Sequence, residues 1–322
     1  MMQRSRSSLP APLALLVSIV VCQLCTAIQW YFGYAITPSG TDRTMTLAAL
    51  VANYLALIAT VGLTDRIAIQ LLLITPRQRP LLLLLETLLL LPLTSLFALD
   101  WSIWALPALL VSLYLQMLCY SRPDRLQVLT LAGLMMGIAV LLYPPLLLIV
   151  PLSWSLLALM KVRQLRAYLA YLCGFVAILW LVLPTLYLWQ GETALRSLYT
   201  QLELSLETLL SPATPFDWIG WGIVALLLII SRVGLESIRG GTHVVTWYRQ
   251  RALLLMTTLL LVLALVRADT MRATLLLAAP LVVIPITPWA SQLSRYAWHY
   301  LLPILILLAT TTQLLLAGLV VL

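Results

Sequence analysis

Apolar residues come in long runs along this chain, broken by short polar groups that carry most of the charge. A helix of about 20 apolar residues crosses a bilayer. The runs divide into eleven segments of that order, at about 11–33, 45–63, 81–99, 101–120, 126–143, 144–160, 167–189, 218–235, 252–266, 273–290 and 300–322. The pattern predicts an all-α fold: a polytopic transmembrane helix bundle of about 11 crossings forming one domain over residues 1–322. The ninth segment is short and the tenth carries Pro280, Pro285 and Pro288. Ten crossings plus a re-entrant segment is therefore the alternative.

The stretch Leu141–Arg166, LLYPPLLLIVPLSWSLLALMKVRQLR, contains the pattern in miniature. Two consecutive prolines remove two N–H donors and bias Tyr143 away from the helical region, which predicts a corner. An apolar run of crossing length follows and stops at Lys161, Arg163 and Arg166. Residues 64–80 read as a polar-side loop in which IAIQLLLI lies along the surface, and 236–251 as another loop. In the longest polar connection, Leu195, Leu198, Leu202, Leu206 and Leu209 recur at spacings of three and four, with Arg196, Glu203 and Glu207 opposite. That predicts an amphipathic helix over 194–210. It lies on the outer leaflet or caps the bundle, or it serves as a lid or docking face through Leu195, Leu198, Leu202, Glu203, Leu206 and Glu207. Trp218 and Trp221 follow at interfacial positions.

Composition excludes a soluble domain. The chain is 62% hydrophobic and 9% charged, against roughly 25% charged in soluble proteins. The net charge of +8 does not indicate nucleic acid, because the basic residues fall in small groups between apolar runs rather than along one groove. With a cytoplasmic N-terminus, 15 of the 19 Lys and Arg fall inside, the four outside being Arg43, Arg196, Arg267 and Arg272. The residues that set this topology are Arg77, Arg79, Arg122, Arg125, Lys161, Arg163, Arg166, Arg249 and Arg251. Arg4 and Arg6 precede the first run as in a signal peptide, but Val21 before Cys22 does not suit lipoprotein cleavage, and the run reads as an uncleaved anchor. Cys22, Cys25, Cys119 and Cys173 all lie in or beside apolar runs and read as packing residues.

Candidate chemistry is sparse. No phosphate loop, metal cluster, H-E-x-x-H or nucleophile elbow occurs, and neither cofactor nor metal is implied. Glu86 lies within a predicted crossing, where an acid costs a few kcal/mol and faces a partner or a watery cavity. It reads as a proton or cation site or a general base. Alternatively it lies near enough to the inner interface to snorkel or to pair with Arg79. Asp42, beside Arg43, occupies the first outer loop. Polytopic glycosyltransferases that use polyprenyl-phosphate sugars place a catalytic acid there, although this loop is short. Arg232 lies near the inner end of its crossing and snorkels.

LLYPPLLLIVPLSWSLLALMKVRQLRAYLAYLCGFVAILWLVLPTLYLW resembles the middle of an uncharacterised family of multi-pass inner-membrane proteins from Bacteroidota: a Tyr-Pro-Pro corner, a crossing, a basic loop and a crossing ending near Pro with aromatics. The basic TPRQRP and TWYRQR fall where that family also has basic loops. The family's Arg-Pro-Phe before the basic loop is absent. The resemblance implies an envelope protein of the bacterial inner membrane and no particular reaction. The functional reading is an auxiliary or scaffolding subunit in contact with the lipid bilayer and with other envelope membrane proteins or a polyprenyl-phosphate lipid, leaning away from an enzyme. The alternatives are a glycosyltransferase-like enzyme on a polyprenyl-phosphate-linked sugar, and a secondary transporter.

Overall fold

The computed structural model describes residues 43–94, 101–193, 215–238, 243–267 and 270–292. Among these the fold is all-helical. The α-helices are α1 (Arg43–Gln70), α2 (Arg79–Leu93), α3 (Trp101–Leu118), α4 (Leu126–Leu142), α5 (Val150–Leu159), α6 (Leu165–Gln190), α7 (Pro215–Ile238), α8 (Val244–Val266) and α9 (Met271–Ala290). Short 3-10 segments, Pro76–Gln78 and Pro144–Ile149, lead into α2 and α5. Six helices (α1, α3, α6, α7, α8 and α9) are long and apolar enough to cross a membrane, as expected for a multi-pass membrane protein. The helices α2, α4 and α5 are shorter. The six-residue 3-10 segment and the ten-residue α5 together rise about 27 Å, close to the ~30 Å of a hydrocarbon core.

Helix α9 is the centre of the bundle. Sixteen of its 20 residues are buried, and it packs against α2, α3, α7 and α8. Pro280, Pro285 and Pro288 do not break it. The re-entrant segment weighed for this stretch is therefore replaced by one unbroken helix, held by packing on its flanks. Helices α6 and α7 lie at the edge, with few of their described residues buried. Leu169, Trp180, Leu181 and Leu188 of α6 are exposed, as suits a lipid-facing helix.

The closest helix pair is α4 against α6. A side-chain carbon added at Gly133 would lie 1.9 Å from the Tyr171 carbonyl oxygen, and one at Gly174 would lie 1.9 Å from the Thr130 carbonyl oxygen. The two backbones touch reciprocally, which only glycine allows. Gly133-x-x-x-Gly137 is the small-residue spacing of close membrane helix pairs, a signal present in the sequence and passed over.

Two boundaries differ from the sequence reading. Helix α1 continues through Thr64, Asp65 and Arg66 to Gln70, and Ile67, Ala68, Leu71, Leu73 and Ile74 are buried. The stretch expected to lie along the surface is part of the core, because its apolar side chains find partners in the bundle. Helix α8 begins at Val244, so Arg249 and Arg251 occupy its first two turns rather than a loop. The Tyr-Pro-Pro corner is present: α4 stops at Leu142, Tyr143 is extended at φ −140°, and the prolines start the 3-10 segment.

At α1's end, Leu73 N–H donates to the Ala68 carbonyl (2.8 Å) and Leu72 N–H to the Ile69 carbonyl (3.0 Å), with Leu72 at φ +56°. At α5's end, Val162 and Lys161 make the same two bonds to Leu157 and Ala158, both 3.0 Å, with Lys161 at φ +60°. Both are Schellman closures built without the usual glycine.

Candidate functional site

Helices α1 and α2 form the seam that carries the buried acids. Along α1, Asn53, Leu57, Thr60 and Thr64 recur at spacings of four, three and four, and all four are buried. The heptad-like spacing holds these positions on one helix face. Thr60 and Thr64 donate their hydroxyl protons to the carbonyls four residues back, at 2.8 and 2.9 Å. This satisfies the hydroxyls within the helix and leaves only their lone pairs for a neighbour.

Glu86, on α2, is fully buried. Neither of its carboxyl oxygens makes a hydrogen bond. The α1 groups that face it electrostatically are the Thr64 hydroxyl and Asp65. The arginine expected as its partner is engaged elsewhere: Arg79 donates from Nε to Asp65 Oδ1 at 2.9 Å and from Nη2 to Oδ2. The Asp65 side chain is 9% exposed and that of Arg79 50%. The two-pronged bond ties the first residue of α2 to α1, and the carboxylate favours the charged form of the guanidinium. Glu86 therefore neither reaches the interface nor pairs with Arg79; it lies in the seam beside an ion pair that is already complete.

A cavity of 420 Å³ continues the seam, lined by Tyr54, Leu57, Val61 and Gly62 of α1 and Thr87 and Leu90 of α2, among others. Leu90 lies one helical turn beyond Glu86, and Val61 lies one turn before Thr64. The cavity thus begins about one turn from the acid, and its walls are almost wholly apolar.

Several other polar groups of the bundle join helices. Between α3 and α4, Ser112 donates to the Ala132 carbonyl (2.8 Å), and Gln116 donates to Ser112 (3.3 Å). Ser153 of α5 donates to the Val150 carbonyl (2.6 Å) and lies 3.2 Å from the Tyr171 hydroxyl of α6. At one end of the bundle, Arg272 donates to the Leu93 (3.0 Å) and Thr94 (3.4 Å) carbonyls, closing the C-terminus of α2. There too, the Tyr143 hydroxyl lies 2.7 Å from Thr274 Oγ1. Arg272, an exception to the charge asymmetry, is thus a helix cap.

All nine topology-setting basic residues gather at the opposite end. Contacts across that end define it: Gln78 donates to Ser291 (2.8 Å), Tyr114 to Gln70 (2.8 Å), Arg249 to the Leu71 carbonyl (3.0 Å), Gln250 to the Leu73 carbonyl (3.3 Å) and Arg166 to Asp124 (2.7 Å). Lys161 stands over the rings of Tyr248 (4.8 Å) and Tyr120 (5.8 Å), and Arg251 over Trp247 (4.2 Å). Arg77, Arg79, Arg122, Arg125, Lys161, Arg163 and Arg166 are exposed, while Arg249 and Arg251 are half-buried. Arg232 is exposed on α7.

Asp42 and the 194–210 segment, with Leu195, Leu198, Leu202, Glu203, Leu206 and Glu207, lie outside the described residues. The sequence reading missed Asp65 and the α1 polar stripe. Their signal was the 53/57/60/64 spacing in a run otherwise read only for hydropathy. Comparison with protein-family models finds no match, and no curated protein and no solved structure matches the chain.

Proposed function

We propose that this chain is a polytopic protein of a bacterial inner membrane, with eleven crossings and a cytoplasmic N-terminus. It serves as an auxiliary or scaffolding subunit of the cell envelope, without a recognised catalytic motif of its own. One observation carries this reading: several polar side chains of the bundle hold helices together. Arg272 caps α2, Tyr143 meets Thr274, Ser112 ties α3 to α4, and Arg249 and Gln250 hold the turn after α1. These ties surround the buried α9, and the edge helices α6 and α7 offer apolar surface within the membrane. The gathering of the basic residues at one end supports a cytoplasmic assignment for that end. The bacterial envelope rests on the resemblance to the Bacteroidota family.

A second reading has its own observation. The 420 Å³ apolar cavity along α1 is of a size to hold part of a lipid chain, which favours an enzyme acting on a polyprenyl-phosphate-linked sugar. Gentle purification from native membranes, followed by mass spectrometry, separates the two. The subunit reading expects a stoichiometric membrane-protein partner, lost when polar residues replace the exposed α6 face or the leucines of 195–209. A bound polyprenyl-phosphate lipid without a protein partner would overturn it in favour of the enzyme.

A further inference from the structure

We propose that Glu86 is a proton-binding site, set between α1 and α2 beside the Asp65–Arg79 ion pair. A carboxylate taken out of water costs several kcal/mol unless a cation or several donors compensate it. Glu86 has neither: it is fully buried and both of its oxygens lack hydrogen bonds. Among the described residues, the elements packed against α2 supply no free positive charge. On α1 the charged groups at this level are Asp65, held by Arg79, and Arg66, which is exposed. Arg43 lies at the other end of α1. On the 3-10 segment before α2, Arg77 is exposed. On α9 the charged residue is Arg272, at the far end against the Leu93 carbonyl.

An ionised Glu86 gives the trio one excess negative charge, and one bound proton removes it. The Thr64 hydroxyl has already given its proton to the Thr60 carbonyl, so toward Glu86 it can only accept. A proton on Glu86 is what fits between them. Asp65, nearly buried but close to the basic end, marks the side from which the proton arrives. The inference is independent of which partner the bundle docks.

A hydrophobic carbodiimide tests this on the full chain in native membranes. The protonated carboxyl adds across a carbon–nitrogen double bond of the reagent: its oxygen bonds the central carbon and its proton passes to nitrogen. The O-acylisourea then rearranges to a stable N-acylurea that retains every atom of both reactants. Peptide mass mapping should find the adduct at Glu86, with labelling that falls as pH rises and disappears in Glu86→Gln. In Asp65→Asn the neighbouring negative charge is gone and Arg79 is released, so the half-labelling pH should drop by about one unit or more. If that variant does not accumulate, the wild-type pH profile decides. Absence of a Glu86 adduct at every pH, labelling independent of pH, or an unshifted Asp65→Asn profile would each overturn the proposal. Protection by sodium at constant pH would replace the proton with a metal cation and overturn it as well.

Discussion

The α4–α6 crossing and the α1–α2 seam are both helix contacts inside the membrane bundle, and they are built in opposite ways. At the crossing, Gly133 and Gly174 bring carbonyl oxygens to where a side chain would begin. At the seam, polar side chains line one face of α1, an unpartnered acid sits opposite, and a 420 Å³ cavity follows. Apolar side chains gain little from leaving lipid for protein, so helix association in a membrane depends on close packing and hydrogen bonds. The crossing maximises packing. The seam gives up packing and keeps a carboxyl that packing does not need, which marks it as the region held for something other than stability.

Replacing glycines should break this contrast most sharply. Gly133→Leu or Gly174→Leu drives a side chain into a backbone carbonyl and should cost at least about 3 kcal/mol. In detergent this reads as loss of the monodisperse peak and of the unfolding transition. The same change at Gly62, where nothing lies within 4 Å of the added carbon, should leave the protein folded. Gly62→Ala should raise stability by about 0.5–1 kcal/mol through helix propensity, seen as a small rise in Tm.

The ion pair of the seam should be asymmetric. Arg79→Met leaves the nearly buried Asp65 carboxylate without its partner and should cost about 3 kcal/mol. Asp65→Asn leaves a half-exposed arginine that water can solvate and should cost about 1 kcal/mol or less. Equal losses in thermal unfolding would contradict the burial difference between the two groups. A similarly small effect is expected at Leu72, which is exposed and left-handed. Leu72→Gly should stabilise by about 1 kcal/mol, whereas at Lys161 the same gain is offset by loss of the contacts with Tyr120 and Tyr248.

Hydropathy and charge make much of this fold legible. The Tyr-Pro-Pro corner falls at Tyr143, and the nine selected basic residues meet at one end although they come from four separate stretches of sequence. Boundaries were less legible where a charged group lies on a helix. Asp65 and Arg66 look like the start of a loop, but the ion pair with Arg79 and the burial of Ile67 and Leu71 carry α1 four residues past Arg66. Arg249 and Arg251 misled in the same way, because their side chains reach carbonyls and rings at the helix end. Glu86 was legible as a candidate, but its isolation was not. That depends on Asp65 taking Arg79, a contact between residues 14 apart that no hydropathy profile contains.

The thermal stability of Glu86→Leu tests the contrast most directly. If the carboxyl is retained against stability, its removal takes away an uncompensated buried polar group, and the purified protein should unfold at a higher temperature than wild type. A lower unfolding temperature would mean that Glu86 holds the seam together as Arg272 holds the end of α2, and would contradict the account.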